Sequence, residues 1–233
     1  AAAEKVKGGD YSTQLQTIHA PDIGDEVRQF SHTFNDMVKG LAEREKLRDT
    51  FYKFHSKEIA ETLMSGAVQL GGERKHAYVF FSDVRGFTSM SEKMDPVSLV
   101  SILNRYLSRM VQIIIDHEGV VDKYVGDAIM AIWGVPEGHR DDAINAMRAA
   151  LEMRDFLVEF NIKRRGLRQH EIKIGMGLHS GEVLSGNIGS EERLEYTVIG
   201  DNVNLASRIE SANKAVASDI LISQSTSVLI QDA

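Results

Sequence analysis

The strongest constraint on the fold is a change of pattern near Lys75, after which short apolar segments alternate with long amphipathic ones. Residues 77–81 form an apolar run of strand length. Asp95-Pro96 then provides an N-cap followed by proline at the first helical position. Apolar residues recur on one helical face through residues 99–114. A strand followed by a long helix is therefore expected at the start of this region.

The remainder of the region continues this alternation and predicts the fold class. Gly126-Asp127 lies between two apolar runs and is typical of a tight hairpin turn. The predicted elements are strands at 120–125 and 128–133, a helix at 141–160, strands at 172–178 and 182–188 joined at Ser180-Gly181, a helix at 202–212 and a strand at 220–222. The order βαββαβ predicts an α+β, ferredoxin-like core with additional strands. A fold of this kind does not by itself identify an activity.

Residues 1–64 follow a different, helical pattern. A short helical fragment ends at Gly8-Gly9-Asp10, and a second helix is expected from Asp22, with acidic residues in its first turn. Its apolar residues recur at steps of three and four, which is typical of helices that pair along one stripe. They are Val27, Phe30, Phe34, Met37 and Leu41.

This apolar stripe is interrupted once. The next apolar position after Leu41 is Leu47, a step of six, and Phe51 and Phe54 then continue the stripe. The alternative interpretation is a single surface helix that packs on its own domain. Residues 65–73 contain three glycines and are expected to form a linker between the helical part and the region that follows.

Composition excludes several classes of function. The net charge of −7 argues against a nucleic-acid partner, because binding a polyanion requires a basic field. A nucleotide substrate is still possible, because metal ions screen its phosphates. There is no cysteine, which excludes disulfide scaffolds, thiolate zinc sites and cysteine nucleophiles. No apolar run reaches the ~20 residues of a membrane span, and no signal peptide is visible. Because the chain begins at Ala1 instead of methionine, it is expected to be part of a longer protein.

Two aspartates follow apolar strands and lie close to glycines. Asp83 belongs to the run FFSDVRGFT at residues 80–88, and Asp127 ends the run DKYVGD at residues 122–127. Taken alone, each is more often a turn or capping residue. Together, carboxylates at two strand ends suit a two-metal phosphoryl site, in which ions ~3.5–4 Å apart stabilise the attacking and leaving oxygens.

A third pattern is the segment YTVIGDNVNLASR at residues 196–208, which enters a predicted helix. Asn204 and Arg208 are four residues apart and therefore emerge on the same helical face. Asparagine offers amide hydrogen bonds, and arginine offers a permanent planar charge that suits a phosphoryl group. An exposed arginine on a helix is usually only solvated, so this pair alone does not identify a site.

Together these three runs, in this order, resemble the catalytic domain of class III adenylyl and guanylyl cyclases. The glycine-containing segments HSG at 179–181 and GNIG at 186–189 are also similar to that family, and the resemblance extends from about His76 to the C-terminus. It implies a lyase that forms a cyclic nucleotide, with the ribose 3′-hydroxyl attacking the α-phosphorus and pyrophosphate leaving. A GGDEF-type diguanylate cyclase shares the general fold, but its Gly-Gly-Asp/Glu-Glu-Phe tip does not occur in this sequence.

The resemblance implies a role for each matching residue. Two Mg²⁺ or Mn²⁺ ions per active site are expected as cofactors, held by Asp83, Asp127 and the Val84 carbonyl. Asn204 is expected to orient the ribose and Arg208 to stabilise the transition-state phosphorane. The expected substrate phosphate contacts are the backbone amides around Gly86, Phe87 and Thr88, together with Arg193.

The choice between ATP and GTP depends on two positions in the same resemblance. Lys123 is expected to donate to the purine N1 and Thr197 to engage the exocyclic amino group of adenine. Guanine has a protonated N1 and a carbonyl, so a guanylyl enzyme is expected to carry an acid in place of this lysine. Thr197 replaces the aspartate of some relatives, and a hydroxyl both donates and accepts. ATP is the expected substrate, and a guanylate cyclase or a catalytically silent dimerising relay are the alternatives.

The N-terminal part resembles the HAMP signalling module. The Gly-Asp connector, the acidic helix start and the run FNDM at residues 34–37 carry this resemblance. It implies a HAMP domain at residues 1–42, lacking the start of its first helix, and a coiled-coil transducer at 43–66 before a catalytic domain at 70–233. A parallel homodimer with active sites at its interface is expected, in the cytoplasmic part of a protein with an upstream sensor and a membrane anchor. The family's final hairpin, which bears a phosphate-binding lysine, is expected to be missing after residue 233.

Overall fold

The computed structural model describes residues 2–13, 15, 25–54, 59–60, 71–190 and 192–231. These residues belong to two compact units, one within residues 1–60 and the other within residues 61–233. Within the described ranges, no helix combines the length and the hydropathy needed to cross a membrane.

The first unit consists of helix α1 (Ala2–Lys7) and the long helix α2 (Asp25–Phe54). Both predicted helices are therefore present, although the predicted start at Asp22 lies outside the described residues. A small apolar cluster joins them, in which Phe34 is buried with residues of α1 and α2. The side chain of Asn35 also holds the backbone of Leu15 through two hydrogen bonds, of 2.8 and 2.9 Å.

Helix α2 is continuous across the interrupted part of its apolar stripe. The predicted boundary between residues 42 and 43 therefore falls inside a single helix. Of the stripe, Phe34 is buried within this unit, whereas Val27, Phe30 and Met37 are exposed in the single chain. Pairing of this stripe with a second copy stays a prediction.

The second unit is an α/β domain. Its elements are β1 (Gly71–Val84), α3 (Phe87–Lys93), α4 (Pro96–Asp116), β2 (Val120–Val125), β3 (Ala128–Trp133), α5 (Asp142–Gly166), β4 (Ile174–Gly189), β5 (Leu194–Ile199), α6 (Asp201–Val216), β6 (Ile220–Ile222) and α7 (Gln224–Gln231). The strands form one sheet in the order β2-β3-β1-β4-β5, in which neighbours are antiparallel, and β6 pairs in parallel with β4. The order of β1 to β4 is that of a ferredoxin-like βαββαβ core, so the predicted core is confirmed, as is the predicted additional strand at 220–222, which is β6.

Two sequence predictions about the strands are wrong. The segments at 172–178 and 182–188 are not separate strands joined at Ser180-Gly181, because β4 runs without a break through both positions. Its long partner β1 decides this, since Tyr78 pairs with Ser180 and Ala77 with Gly181. The predicted linker at 65–73 is also wrong at its end, because the same pairing makes its residues from Gly71 onward part of β1.

Three elements were not predicted from the sequence. They are α3, β5 and α7. The segment that forms β5 was assigned only a chemical role, although it pairs with β4 from Leu184 to Gly189. Helix α3 has only seven residues, which is too short for a clear apolar period.

Helices α4 and α5 contribute to the main core on one face of the sheet, around Phe80, Tyr106 and Trp133. Helix α6 packs on the other face, where Ala206 joins a second apolar cluster. Close approach of α6 to β4 depends on glycine, because a Cβ at Gly177 would collide with the backbone of Glu210. This packing fixes α6, which carries Asn204 and Arg208, against β4.

Candidate active site

The two predicted metal-binding aspartates meet at one end of the β1–β3 ladder. Asp83 is the penultimate residue of β1, and Asp127 follows Gly126, whose φ of 67° allows the tight β2–β3 turn. Asp127 Oδ2 accepts a hydrogen bond of 3.0 Å from the backbone N–H of Val84. The hydrogen bond ties the hairpin tip to the end of β1 and holds the two carboxylates side by side.

The two carboxylates repel each other, and one nearby ammonium compensates only part of their charge. Partial burial and the neighbouring charge of Asp83 raise the pKa of Asp127, against the opposing hydrogen bond from Val84. The ammonium of Lys214, on α6, lies 3.8 Å from Asp83 Oδ2 and is the nearby positive charge. Two repelling carboxylates at a partly exposed position form a donor set that suits hard divalent cations.

The side chains of this site do not by themselves provide a complete set of ligands for a metal ion. In the part of the chain that the structure describes, no group of three or more His, Cys, Asp or Glu residues is placed to hold one. Asp83 and Asp127 therefore fit an ion that takes its other ligands from backbone carbonyls, water or a phosphate-bearing substrate.

A turn with free backbone amides follows Asp83 closely. Gly86 has a φ of 70° and precedes the first residue of α3, Phe87. The first helical hydrogen bond runs from the Met90 N–H to the Gly86 carbonyl at 3.0 Å, so the amides of Phe87 and Thr88 have no acceptor within the helix. These amides are available to an anionic ligand next to the carboxylate pair.

The two residues predicted to select the base meet at a third side chain, Asp122. The Thr197 hydroxyl donates a hydrogen bond of 2.9 Å to Asp122 Oδ2, and Lys123 Nζ lies 3.6 Å from the same oxygen. Lys123 Nζ also donates to Glu195 Oε2 at 3.0 Å. In the strand order β2-β3-β1-β4-β5, β2 and β5 lie at opposite ends, and the hydrogen bond between Asp122 and Thr197 connects them.

The charges around Lys123 shift each other's pKa. Burial raises the pKa of Asp122, against the opposing effects of Lys123 and Thr197. Burial lowers the pKa of Lys123, but Glu195 and Asp122 together raise it above its ordinary value. The hydrogen bond from Lys123, and then that from Arg193, lower the pKa of Glu195. The lysine is therefore held as a cation.

Arg193 lies in the turn between β4 and β5. Its backbone bonds to Ser190 close this turn, and its guanidinium donates to Glu195 at 2.8 Å. The side chain is 83% exposed, so it is held by one carboxylate and otherwise faces solvent.

Asn204 and Arg208 lie one turn apart on the exposed side of α6. Lys214, six residues after Arg208 on the same helix, is the residue of α6 that reaches Asp83. At a rise of ~1.5 Å per residue, Arg208 and Asn204 lie ~9 and ~15 Å farther along the helix axis. Among the described residues, a single chain thus brings the two acids together and Lys123 and Thr197 together, while no ion pair joins Arg208 to its own Asp83 or Asp127.

Comparison with known proteins identifies the family. The family model for the adenylate and guanylate cyclase catalytic domain matches residues 72–233. This chain belongs to the adenylate and guanylate cyclase family.

Solved structures of both kinds of cyclase are similar to this cyclase domain. The guanylyl cyclase Cya2 is 39% identical, with a TM-score of 0.64 over 69% of this chain and 81% of its own. The adenylyl cyclase CyaB from P. aeruginosa is also 39% identical, with a TM-score of 0.65 over 70% of this chain and 84% of its own. The fold is thus shared with both kinds of cyclase, and identity to these two relatives does not distinguish ATP from GTP.

A curated relative matches nearly the whole chain. The uncharacterized protein Rv1319c of Mycobacterium tuberculosis (strain ATCC 25618 / H37Rv) is 33% identical over 229 residues. The match covers 97% of this cyclase but only 40% of the relative, so the chain spans less than half of that protein.

Sequence analysis missed three charged residues of the cyclase site. Asp122 belongs to the run DKYVGD, next to Lys123, but was assigned no role, and Glu195 and Lys214 were not considered. The available signal for Asp122 was its place within an apolar strand, where a carboxylate requires partners. Neither Glu195 nor Lys214 carries such a signal, because charged residues on exposed surfaces are ordinary.

Proposed function

We propose that this cyclase converts ATP into 3′,5′-cyclic AMP and pyrophosphate. The observation that carries the proposal is the convergence of Lys123 and Thr197 at Asp122, which places an ammonium donor beside a hydroxyl. Adenine presents an acceptor at N1 and a donor at its amino group, whereas guanine presents a donor at N1 and an acceptor at O6. A lysine held as a cation favours the adenine N1.

The reaction is intramolecular and needs no covalent intermediate on the protein. The bond from the ribose O3′ to the α-phosphorus forms, the bond from that phosphorus to the pyrophosphate oxygen breaks, and the 3′-hydroxyl loses its proton. Asp83, Asp127 and the Val84 carbonyl would hold two Mg²⁺ or Mn²⁺ ions. When bound, such ions supply charge neutralisation for the phosphates and lower the pKa of the attacking hydroxyl.

The protein's own groups position the nucleotide. The backbone amides of Phe87 and Thr88, after Gly86, donate hydrogen bonds to phosphate oxygens, and Arg193 adds a cationic contact from the β4–β5 turn. Asn204 orients the ribose through its amide. Arg208 places a permanent charge where negative charge develops on the phosphorane, so its contribution is largest in the transition state.

We propose a homodimer with two equivalent active sites at its interface. Asp83 and Asp127 come from one subunit, and Lys123, Thr197, Asn204 and Arg208 come from its partner. The ion pairs of the described residues support this division, because Lys214 is the residue of α6 that pairs with Asp83 and Arg208 pairs with neither acid of its own chain. Two-fold symmetry then produces two identical sites.

We also propose that residues 1–42 are a HAMP module and residues 43–66 a coiled-coil transducer, in the cytoplasmic part of a membrane-anchored sensor protein. The exposed apolar residues Val27, Phe30 and Met37 on the continuous helix α2 support pairing with a second copy. An upstream stimulus is then transmitted to the interface at which the cyclase site is completed.

The proposed substrate is tested with purified protein, Mn²⁺ and either ATP or GTP, by measuring each cyclic product. The expected result is a kcat/KM for ATP at least about tenfold above that for GTP, because guanine leaves polar groups of the site mispaired. Asp83→Ala is the control and is expected to form no product. Equal or greater use of GTP contradicts ATP as the substrate, and absence of product with either nucleotide favours the silent relay.

A further inference from the structure

The hydrogen bond between Thr197 and Asp122 determines which way the threonine hydroxyl points. These residues are 75 positions apart, and the Oγ1–Oδ2 distance is 2.9 Å. An ionised carboxylate accepts hydrogen bonds and has no proton to donate, so the single hydroxyl proton of Thr197 is directed at Asp122. The outward side of Thr197 Oγ1 then offers only lone pairs.

Burial makes this orientation persistent. The Asp122 side chain is 1% exposed, and Thr197 is also buried. Water therefore does not replace the hydroxyl as the partner of the carboxylate, and rotation of the hydroxyl would leave a buried charge with one hydrogen bond fewer. A threonine that in solution both donates and accepts acts at this site as an acceptor.

Lys123 offers a ligand a hydrogen-bond donor, whereas Thr197 offers it an acceptor. Its ammonium has three protons, one of which is donated to Glu195 at 3.0 Å, and a second faces Asp122 at 3.6 Å. The remaining proton is available to a ligand. A purine thus meets a donor at Lys123 and an acceptor at Thr197, which matches the N1 and amino group of adenine and opposes the N1–H and O6 of guanine.

We infer that Asp122 is a specificity-determining residue that selects adenine through the hydroxyl of Thr197. Asp122 does not touch the nucleotide and acts as a positioning residue. This inference rests on the proposed function, since it explains how the site of an ATP cyclase rejects GTP.

The test compares ATP with GTP in Asp122→Ala and Asp122→Asn. Loss of the carboxylate frees the Thr197 hydroxyl to donate to O6, so Asp122→Ala is expected to lower the ATP-to-GTP ratio of kcat/KM by about tenfold or more. Asparagine keeps an amide oxygen for Thr197 and Lys123 to bind, so Asp122→Asn is expected to keep the ratio within about threefold of the unsubstituted protein. Equilibrium binding of the two nucleotides, measured by displacement of a fluorescent nucleotide, gives the corresponding ratio of affinities without turnover, and this ratio is expected to shift in the same direction.

A double-mutant cycle separates this role from a structural one. In a Thr197→Val background no hydroxyl remains to be oriented, so adding Asp122→Ala is expected to change the ratio by less than about threefold. A fall in activity with both nucleotides at an unchanged ratio overturns the inference, as does a full effect of Asp122→Ala in the Thr197→Val background. If Asp122→Ala does not fold, Asp122→Leu fills the same space without an acceptor and is subject to the same criteria. Failure of the ATP proposal is separate, because it would appear in the unsubstituted protein as a preference for GTP.

Discussion

Asp127→Asn is expected to lower the rate of cyclic AMP formation by about a thousandfold, because it removes one of the two charges that we propose hold the divalent ions. The asparagine oxygen still accepts the Val84 N–H bond that fixes the hairpin tip, so the fold is retained. Partial burial and then the charge of Asp83 raise the pKa of Asp127 in the folded protein, so its ionised form costs stability above its unfolded pKa. The Tm of metal-free Asp127→Asn at neutral pH is therefore expected to equal or exceed that of the unsubstituted protein.

Activity and Tm together make this prediction specific. Asp155→Asn is the matched control, because Asp155 is 72% exposed on α5 and, among the residues that the structure describes, pairs only with the neighbouring Arg154. Its rate is expected to stay within about twofold of the unsubstituted protein. A large loss of activity accompanied by a lower Tm in Asp127→Asn would indicate damage to the fold, and near-normal activity would remove Asp127 from the metal site.

Lys123→Glu combined with Thr197→Cys is expected to shift the ATP-to-GTP ratio of kcat/KM toward GTP by about a hundredfold. The new carboxylate accepts from the guanine N1–H and so reverses the polarity that Lys123 presents to the base. The thiol, a weak hydrogen-bonding group, removes the strong acceptor that Thr197 presents to the adenine amino group.

The same substitutions are expected to lower the absolute rate. The new carboxylate lies beside buried Asp122 and near Glu195, which lose their cation. Rates with both nucleotides, measured at matched Mn²⁺ concentration, separate the change of ratio from this loss. Thr197→Ser is the control and keeps the ATP preference, because it retains the hydroxyl bonded to Asp122. An unchanged preference for ATP in the double variant would refute this base pocket.

The sequence predicted those elements that depend on residues close together in the chain, such as a helix start. The expected N-cap at Asp95 is present, with its carboxylate accepting the Ser98 N–H at 3.0 Å, and α4 begins at Pro96. The continuity of β4 was not predictable in this way. Ser180-Gly181 has the composition of a turn, but the pairing partner on β1 keeps it extended, and Gly181 is needed because a Cβ there would collide with Asn202.

The candidate site likewise has residues that the sequence predicted and a feature that it did not predict. Motif resemblance was sufficient to nominate Asp83, Asp127, Lys123 and Thr197, and the structure brings them together in two pairs. The orientation of the Thr197 proton was left open by the sequence, because it depends on a contact between two strands that are far apart in the chain. A hydroxyl has no fixed polarity until its partner is known.

Mixing two inactive variants tests directly whether each active site combines residues of two subunits. Asp127→Asn lacks a proposed metal-binding acid and Arg208→Ala lacks the charge proposed to stabilise the phosphorane, so each homodimer is expected to be inactive. In co-expressed protein half of the dimers are mixed and each has one intact site of two, so about a quarter of the unsubstituted activity is expected. Absence of activity in the mixture, with mixed dimers demonstrated by differential tags, would contradict an active site completed across the dimer interface.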